Sequence, residues 1–336
     1  MPYLATKGQY NPYDFLYLCY VLTKSGWPMS NKLLLLTREN EQYRQLIESC
    51  NLPELTILGD SPNSILEANI WFAEPALALP LLGHANELRW MQSTFAGVDK
   101  LMGKRQRKDY QLTNVKGIFG PLMSEYVFGY LLAHQRQHDL YQLQQQQKLW
   151  LPTSFKSLQG QNLLLLGTGS IAKHIAVTAK HFGMTVTGIN RQGRQVPGFD
   201  CVDTLAHLDR HLALADAIVS VLPSTTETAG TLNKHALTQL KHDAVLFNIG
   251  RGDVLDLNEL TVLLDQRPQM RAILDVFNQE PLPSEHPIWE CKNAVITPHI
   301  AAPSFPEQVV EVFSQNYQNW LSQKPLDYVV EFERGY

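Results

Sequence analysis

Short apolar runs alternate with amphipathic stretches along most of the chain. Leu33–Leu36 is a run of leucines bounded by polar residues, the pattern of a buried strand. Glu41–Cys50 follows with Tyr43, Leu46 and Ile47 on one face, which predicts a helix. Leu55–Leu58 and Ile70–Phe72 are predicted as further strands. From Ser124 a helical pattern runs to about Leu149 through Tyr126, Val127, Tyr130, Leu131, Tyr141 and Leu143, with Gln144–Gln147 expected as a solvated face. A second alternating region opens at Gln161. Its predicted strands are Asn162–Leu166, Thr185–Ile189, Ala217–Val221, Ala244–Asn248, Ala272–Asp275 and Ala294–Thr297. Ser304-Phe-Pro-Glu307 reads as a capping box before a last helix striped by Val309, Val310, Phe313 and Trp320. Strands alternating with helices place the chain in the α/β class, and the second region has the pattern of a doubly wound, Rossmann-type parallel sheet.

The 336 residues are enough for two domains, and 44% hydrophobic with 18% charged residues describes a globular protein rather than a disordered one. A net charge of −4 with mixed signs gives no basic face for nucleic acid. Cys19, Cys50, Cys201 and Cys291 form no Cys-x-x-Cys pair, so neither a zinc site nor a disulfide framework is expected. They read as reduced thiols in a cytoplasmic protein, and no apolar run has the length of a membrane span. Residues 1–28 hold the apolar run Phe15–Leu22, but Lys7 alone supplies basic charge before it and Ser25-Gly-Trp-Pro28 is a poor cleavage site. This segment reads as a surface extension, or as sequence upstream of a start at Met29. His207 and His211, four apart, are expected on a solvated helix face rather than on a metal. Trp71, Phe72 and Trp150 are read as pocket walls or as core and interface packing.

Leu163-Leu-Leu-Leu-Gly167-Thr168-Gly169-Ser170-Ile171-Ala172 is a strand, a glycine turn and a helix start. Gly167 permits the tight turn, Gly169 lets backbone approach a pyrophosphate, and Ala172 allows close helix–strand packing. The helix start offers free N–H groups to phosphates. The next strand ends Gly188-Ile-Asn190-Arg191-Gln-Gly-Arg194, with no acid for a ribose 2′-hydroxyl. Arg191 or Arg194 would instead pair with a 2′-phosphate, and Asn190 could add a neutral hydrogen bond, so NADPH is expected over NADH.

Three segments close later strands: Asn248-Ile249-Gly-Arg251, Asp275-Val-Phe-Asn-Gln-Glu280 and Thr297-Pro-His299. Ligands of open α/β sheets sit beyond the carboxyl ends of strands, so all three point at one crevice. Arg251 has the planar fork that binds a carboxylate and polarises a carbonyl. His299 can pass a proton near neutral pH, and Glu280 could pair with it and keep it charged.

With Leu222-Pro223-Ser-Thr-Thr-Glu-Thr228 and Pro298–Ala302 in the same order and spacing, the chain from about residue 29 onward resembles the D-2-hydroxyacid dehydrogenase family, and looks most like its NADP-dependent glyoxylate/hydroxypyruvate reductases. The resemblance implies reduction of a small 2-oxo acid to a D-2-hydroxy acid, with Arg251 binding substrate, His299 as general acid/base and Glu280 as its acidic partner. It implies that Asp275 contacts the nicotinamide carboxamide, that Pro223 lines the adenosine side, and that Ile249 lends backbone contacts. It also implies a substrate loop at Ser93–Asp99, where the N–H groups of Ala96 and Gly97 hold the carboxylate. It implies a flavodoxin-like substrate domain of residues 29–123 and 304–336, an NAD(P)-binding domain of residues 124–303, and a homodimer.

Two rivals remain at this level. A different 2-hydroxy acid could be the substrate. A cofactor-sensing, corepressor-like binding protein of the same fold could keep the same residues, because fold alone does not fix function.

Overall fold

The computed structural model describes residues 30–335; the extension read at 1–28 lies outside the described residues. Two parallel sheets organise the chain. The first contains β1 (Asn31–Leu36), β2 (Leu55–Ile57), β3 (Ile70–Ala73), β4 (Trp90–Ser93) and β5 (Gln111–Thr113), in the order β2-β1-β3-β4-β5. The second contains β6 (Asn162–Leu166), β7 (Thr185–Ile189), β8 (Cys201–Asp203), β9 (Ala217–Ser220), β10 (Val245–Asn248), β11 (Arg271–Leu274) and β12 (Ala294–Ile296), in the order β12-β11-β10-β9-β6-β7-β8. The first order is the flavodoxin type and the second the Rossmann type, whose strand order reverses between β6 and β9.

Burial explains the continuous apolar runs. In β1, Leu33 and Leu35 face a core shared with Tyr43, Ile47, Val309 and Phe313, whereas Leu34 faces Trp71, Met91 and Leu112 on the other side. In β6, Leu163 and Leu165 face Val127 and Ile175 while Leu164 and Leu166 face Ile218 and Leu246. Side chains alternate across a strand, so a strand covered by helices on both faces must be apolar throughout. Each leucine buried this way contributes about 1.5–3 kcal/mol.

The chain crosses between sheets along the helix Phe119–Gln135 and returns along Pro306–Leu321. The return helix belongs physically to the first sheet. Phe313 stacks on Trp90 at 5.3 Å, the Tyr317 hydroxyl donates to the Pro53 carbonyl at 2.7 Å, and Trp320 Nε1 donates to Asn31 Oδ1 at 3.0 Å. Val330 N–H then bonds the Leu112 carbonyl, tying the tail to β5. The expected division between residues 123 and 124 falls inside the helix Phe119–Gln135.

Several expectations are corrected. The helix read from Ser124 to about Leu149 begins at Phe119 and is broken, with a second helix at His138–Gln146. Gln137 takes the left-handed conformation at φ 55° between them. Gln144 is buried, so the glutamine run is solvated only in part. Ser304 caps nothing: the last helix is entered from an extended Phe305, with Pro306 in its first turn and no side-chain cap bond. His207 and His211 do not share a solvated face, because both bond the Asp203 carboxylate, at 2.8 and 2.9 Å, and the His211 side chain is only 10% exposed. Of the two readings given for the aromatics, core packing holds for Trp71 and Phe72, which are fully buried, whereas Trp150 is 97% exposed.

Candidate active site

The second sheet changes its direction of strand order between the paired strands β6 and β9, and the glycine turn sits at the carboxyl end of β6. Gly167 takes φ +107°, a conformation that L side chains rarely adopt, and a Cβ at this residue would press Val221 Cγ2 at 3.0 Å. Gly169 enters the helix Ser170–His181 from an extended conformation with no side chain capping it. Nothing lies within 4 Å of the Cβ position at Gly169. Open space before a free helix N-terminus suits a pyrophosphate, so these residues fit a dinucleotide. Ala172 is fully buried, as the close helix–strand contact requires, and Ile171 packs partly buried behind the turn.

After β7, the Asn190 side chain knits its own turn. Its Nδ2 donates to the Arg194 carbonyl at 2.9 Å and to Thr168 Oγ1 at 3.3 Å, and its Oδ1 accepts from Gln192 N–H. Arg191 and Arg194 both extend into solvent from this turn. Arg191 pairs with Glu227 at 2.6 Å, a residue that the sequence reading did not single out. Across the crevice Leu222 and Ile249 are buried, and the Pro223 carbonyl accepts from the Thr228 hydroxyl at 2.5 Å.

Arg251 stands on the loop after β10. Asn248 Nδ2 holds the Arg251 carbonyl at 3.0 Å, and a Cβ at Gly252 would overlap the Phe277 backbone. The loop therefore lies flush against the segment that follows β11. The guanidinium reaches the other sheet's loop: Nε donates to Asp99 Oδ2 at 2.9 Å, and Nη1 donates to the Gly250 carbonyl at 2.7 Å. Among the described residues, the N–H groups of Ala96 and Gly97 in that loop donate to no protein acceptor. The Ala96 carbonyl is fixed by Asn114 Nδ2 at 2.8 Å.

The remaining pair forms at the ends of β11 and β12. Glu280 Oε1 accepts from Phe277 N–H at 2.9 Å, which aims Oε2 at His299 Nδ1, also at 2.9 Å. The His299 side chain is 54% exposed, and Nε2 has no partner among the described residues. His299 itself has φ 56°. Its turn is held by Asp275, which is 1% exposed. The carboxylate accepts from Thr297 Oγ1 at 2.6 Å, Ile300 N–H at 2.8 Å and Ala301 N–H at 3.0 Å, and the Asp275 carbonyl accepts from His299 N–H at 2.9 Å. With its O–H donated to the Asp275 carboxylate, the Thr297 hydroxyl oxygen accepts from the Tyr126 hydroxyl at 2.6 Å. Burial and the nearby Asp275 charge push the Tyr126 phenol above its ordinary value.

The family model for the NAD-binding domain of D-isomer specific 2-hydroxyacid dehydrogenases matches residues 128–301. The chain belongs to this family. A glyoxylate/hydroxypyruvate reductase A of Yersinia enterocolitica is 33% identical over 76% of this chain and 84% of its own length. A family member from Aeromonas salmonicida, known as a crystal structure, is 49% identical with a TM-score of 0.84 over 90% of this chain and 99% of that one. An NADPH-dependent glyoxylate/hydroxypyruvate reductase from Sinorhizobium meliloti, solved with NADP and sulfate, is 26% identical with a TM-score of 0.80 over 91% of this chain and all of that one.

The protein is thus an NAD(P)-dependent oxidoreductase of the 2-hydroxyacid type, with a nicotinamide cofactor and a small-molecule substrate. The structure places Ala96 and Gly97 after β4, Arg251 after β10, Glu280 after β11 and His299 after β12, all beyond carboxyl ends of parallel strands, with Gly167–Ile171 after β6, Leu222 and Pro223 after β9 and Ile249 after β10. Asp275 is more occupied than the resemblance implied, since three internal donors engage its carboxylate; about one lone-pair site on Oδ2 is left for a carboxamide. The sequence pointed to no individual role for Tyr126, Thr297 or Asp99, because their contacts depend on partners 171, 22 and 152 residues away. Among the described residues, no helix is long and apolar enough to cross a membrane, and no group of three or more His, Cys, Asp or Glu could hold a metal.

Proposed function

We propose that this dehydrogenase reduces a small 2-oxo acid of the glyoxylate and hydroxypyruvate type to the D-2-hydroxy acid, with NADPH preferred over NADH. The single observation that carries the reading is a pair of arrangements on loops that touch at Gly252 and Phe277: a guanidinium over Gly97, and a histidine whose Nδ1 is held by a carboxylate. The relatives named for glyoxylate and hydroxypyruvate support the substrate class.

Gly167, Thr168, Gly169, Ser170 and Ile171 would hold the pyrophosphate, and Arg191 and Arg194 the 2′-phosphate, which their charge favours. Leu222, Pro223 and Ile249 would line the adenosine and nicotinamide sides. The cofactor, when bound, supplies the hydride that adds to C2. Arg251 and the N–H groups of Ala96 and Gly97 bind the substrate carboxylate, and the guanidinium draws charge toward the C2 oxygen. His299 delivers a proton from Nε2 to that oxygen, and Glu280 on Nδ1 keeps the ring oriented.

A homodimer is part of the proposal. Leu149, Trp150, Leu151 and Phe155 stand exposed together on one arm after the second helix, an apolar surface that a second copy would cover. A cytoplasmic setting fits the free Cys50, Cys201 and Cys291.

The deciding experiment follows the loss of reduced-cofactor absorbance with glyoxylate and hydroxypyruvate, comparing NADPH with NADH. Fast turnover with NADPH is expected. Turnover with NADH alone would refute the cofactor preference, and turnover of neither acid in the presence of bound cofactor would refute the substrate class.

A further inference from the structure

Asp99 places a carboxylate beside a site that has to bind carboxylates. It opens a short 3-10 turn, Asp99–Leu101, anchored on either side by Val98 and Leu101, both buried. Its backbone is therefore fixed by the core of the first sheet. Its side chain crosses the cleft to Arg251 Nε at 2.9 Å and is 40% exposed against 28% for the arginine. Nη1 is spent on the Gly250 carbonyl. Nη2 lies over Gly97, in the space that a Cβ at that position would fill. Two of the three guanidinium nitrogens are thus tied down, and the third is presented beside the unpaired Gly97 N–H.

We propose that Asp99 is the positioning residue for Arg251: it turns the guanidinium so that Nη2 and the Ala96–Gly97 amides form one carboxylate seat. The inference rests on the 2-oxo acid reading above. An arginine side chain has many rotamers, and a fork fixed in advance loses less freedom on binding. The competing account is that Asp99 merely occupies the arginine until substrate displaces it. The geometry favours positioning, because Asp99 takes Nε and leaves free the nitrogen that lies over Gly97. The two accounts predict opposite signs for the same substitutions.

The test uses the full chain with Asp99→Ala and Asp99→Asn, measuring kcat and KM for glyoxylate, NADPH affinity by fluorescence, and oxamate binding to the NADPH-loaded protein. Asp99→Ala is expected to raise KM and weaken oxamate about tenfold, equal to about 1.4 kcal/mol, with NADPH affinity unchanged and kcat less affected. Asp99→Asn keeps an oxygen for Nε and is expected to restore most of the loss. An unchanged KM for Asp99→Ala, or a KM lowered by either substitution, overturns the proposal. So does a parallel fall in NADPH affinity and thermal stability, which would mark a structural role. A wild-type protein that binds oxamate but reduces neither acid sinks the 2-oxo acid reading alone, and weaker oxamate binding by Asp99→Ala would still support positioning.

Discussion

Asp275 fastens the turn that carries His299, through its main-chain carbonyl at 2.9 Å and through both carboxylate oxygens to the next two N–H groups. That grip holds a non-glycine residue at φ 56°, a conformation costing on the order of 1–3 kcal/mol. Asp275→Ala strands buried donors and should lower stability by about 1–3 kcal/mol. It should also lower kcat, because the imidazole loses its fixed direction. Thermal unfolding and steady-state kinetics on the same preparation check both effects, and a normal kcat would show that the turn holds without Asp275.

His299→Ala should cut kcat by about 10²–10⁴-fold while NADPH still binds normally, since the proposal gives the ring a proton-transfer role and no part in holding the cofactor. Glu280→Gln keeps a hydrogen-bonding group at His299 Nδ1 but removes the charge, and a smaller loss is expected. Single-turnover rates with cofactor titrations separate chemistry from binding. Near-full activity of His299→Ala would exclude it as the proton donor.

Arg191 is shared between Glu227 and solvent, so a 2′-phosphate has to compete with a carboxylate for it. Glu227→Gln should lower KM for NADPH several-fold and leave NADH unchanged. Arg191→Ala should do the reverse for NADPH. Kinetics with both cofactors decide, and equal changes for NADPH and NADH would remove this turn from the 2′-phosphate site.

Gly97→Ala should abolish most activity without unfolding the protein, because the added methyl takes the place of Arg251 Nη2. Circular dichroism and oxamate binding would show a folded protein that no longer seats a carboxylate. Retained oxamate affinity would mean that Arg251 binds substrate from another position.

Asp200 links helix and strand: both its oxygens lie 2.6 Å from Lys180 Nζ, and Oδ2 accepts from Val186 N–H at 2.7 Å. The Lys180 contact first, and the Val186 N–H second, hold its carboxyl below the usual carboxylate range. A depressed folded value gives stability that is present above the unfolded value of about 3.9 and is lost as pH falls through the folded value. Asp200→Asn should therefore lower the melting temperature near neutral pH and make little difference in strong acid. The pair is well exposed, so its ionic part is worth about 1 kcal/mol or less. Melting curves across pH test the sign.

The strands with continuous apolar runs and the glycine turn were legible in the sequence because each is a local pattern, and the expected Glu280–His299 contact is present at 2.9 Å. A run such as Leu163–Leu166 can be buried only in a strand covered on both faces, and a glycine pair between strand and helix has few other uses. Strands β4, β5 and β8 were not legible: Trp-Met-Gln-Ser, Gln-Leu-Thr and Cys-Val-Asp are too short and mixed to show a period. Only pairing with a neighbouring strand makes them extended. The break at Gln137 has no glycine or proline to announce it. Its Nε2 donates to Ser154 O, and Arg136 lies 4.3 Å over the Phe155 ring, contacts with residues well beyond the helix. The tertiary structure alone decided how Asp99 meets Arg251 and how Tyr126, Thr297 and Asp275 brace His299. Those side chains act through partners brought close by the packing of two sheets, and no local spacing encodes such a distance.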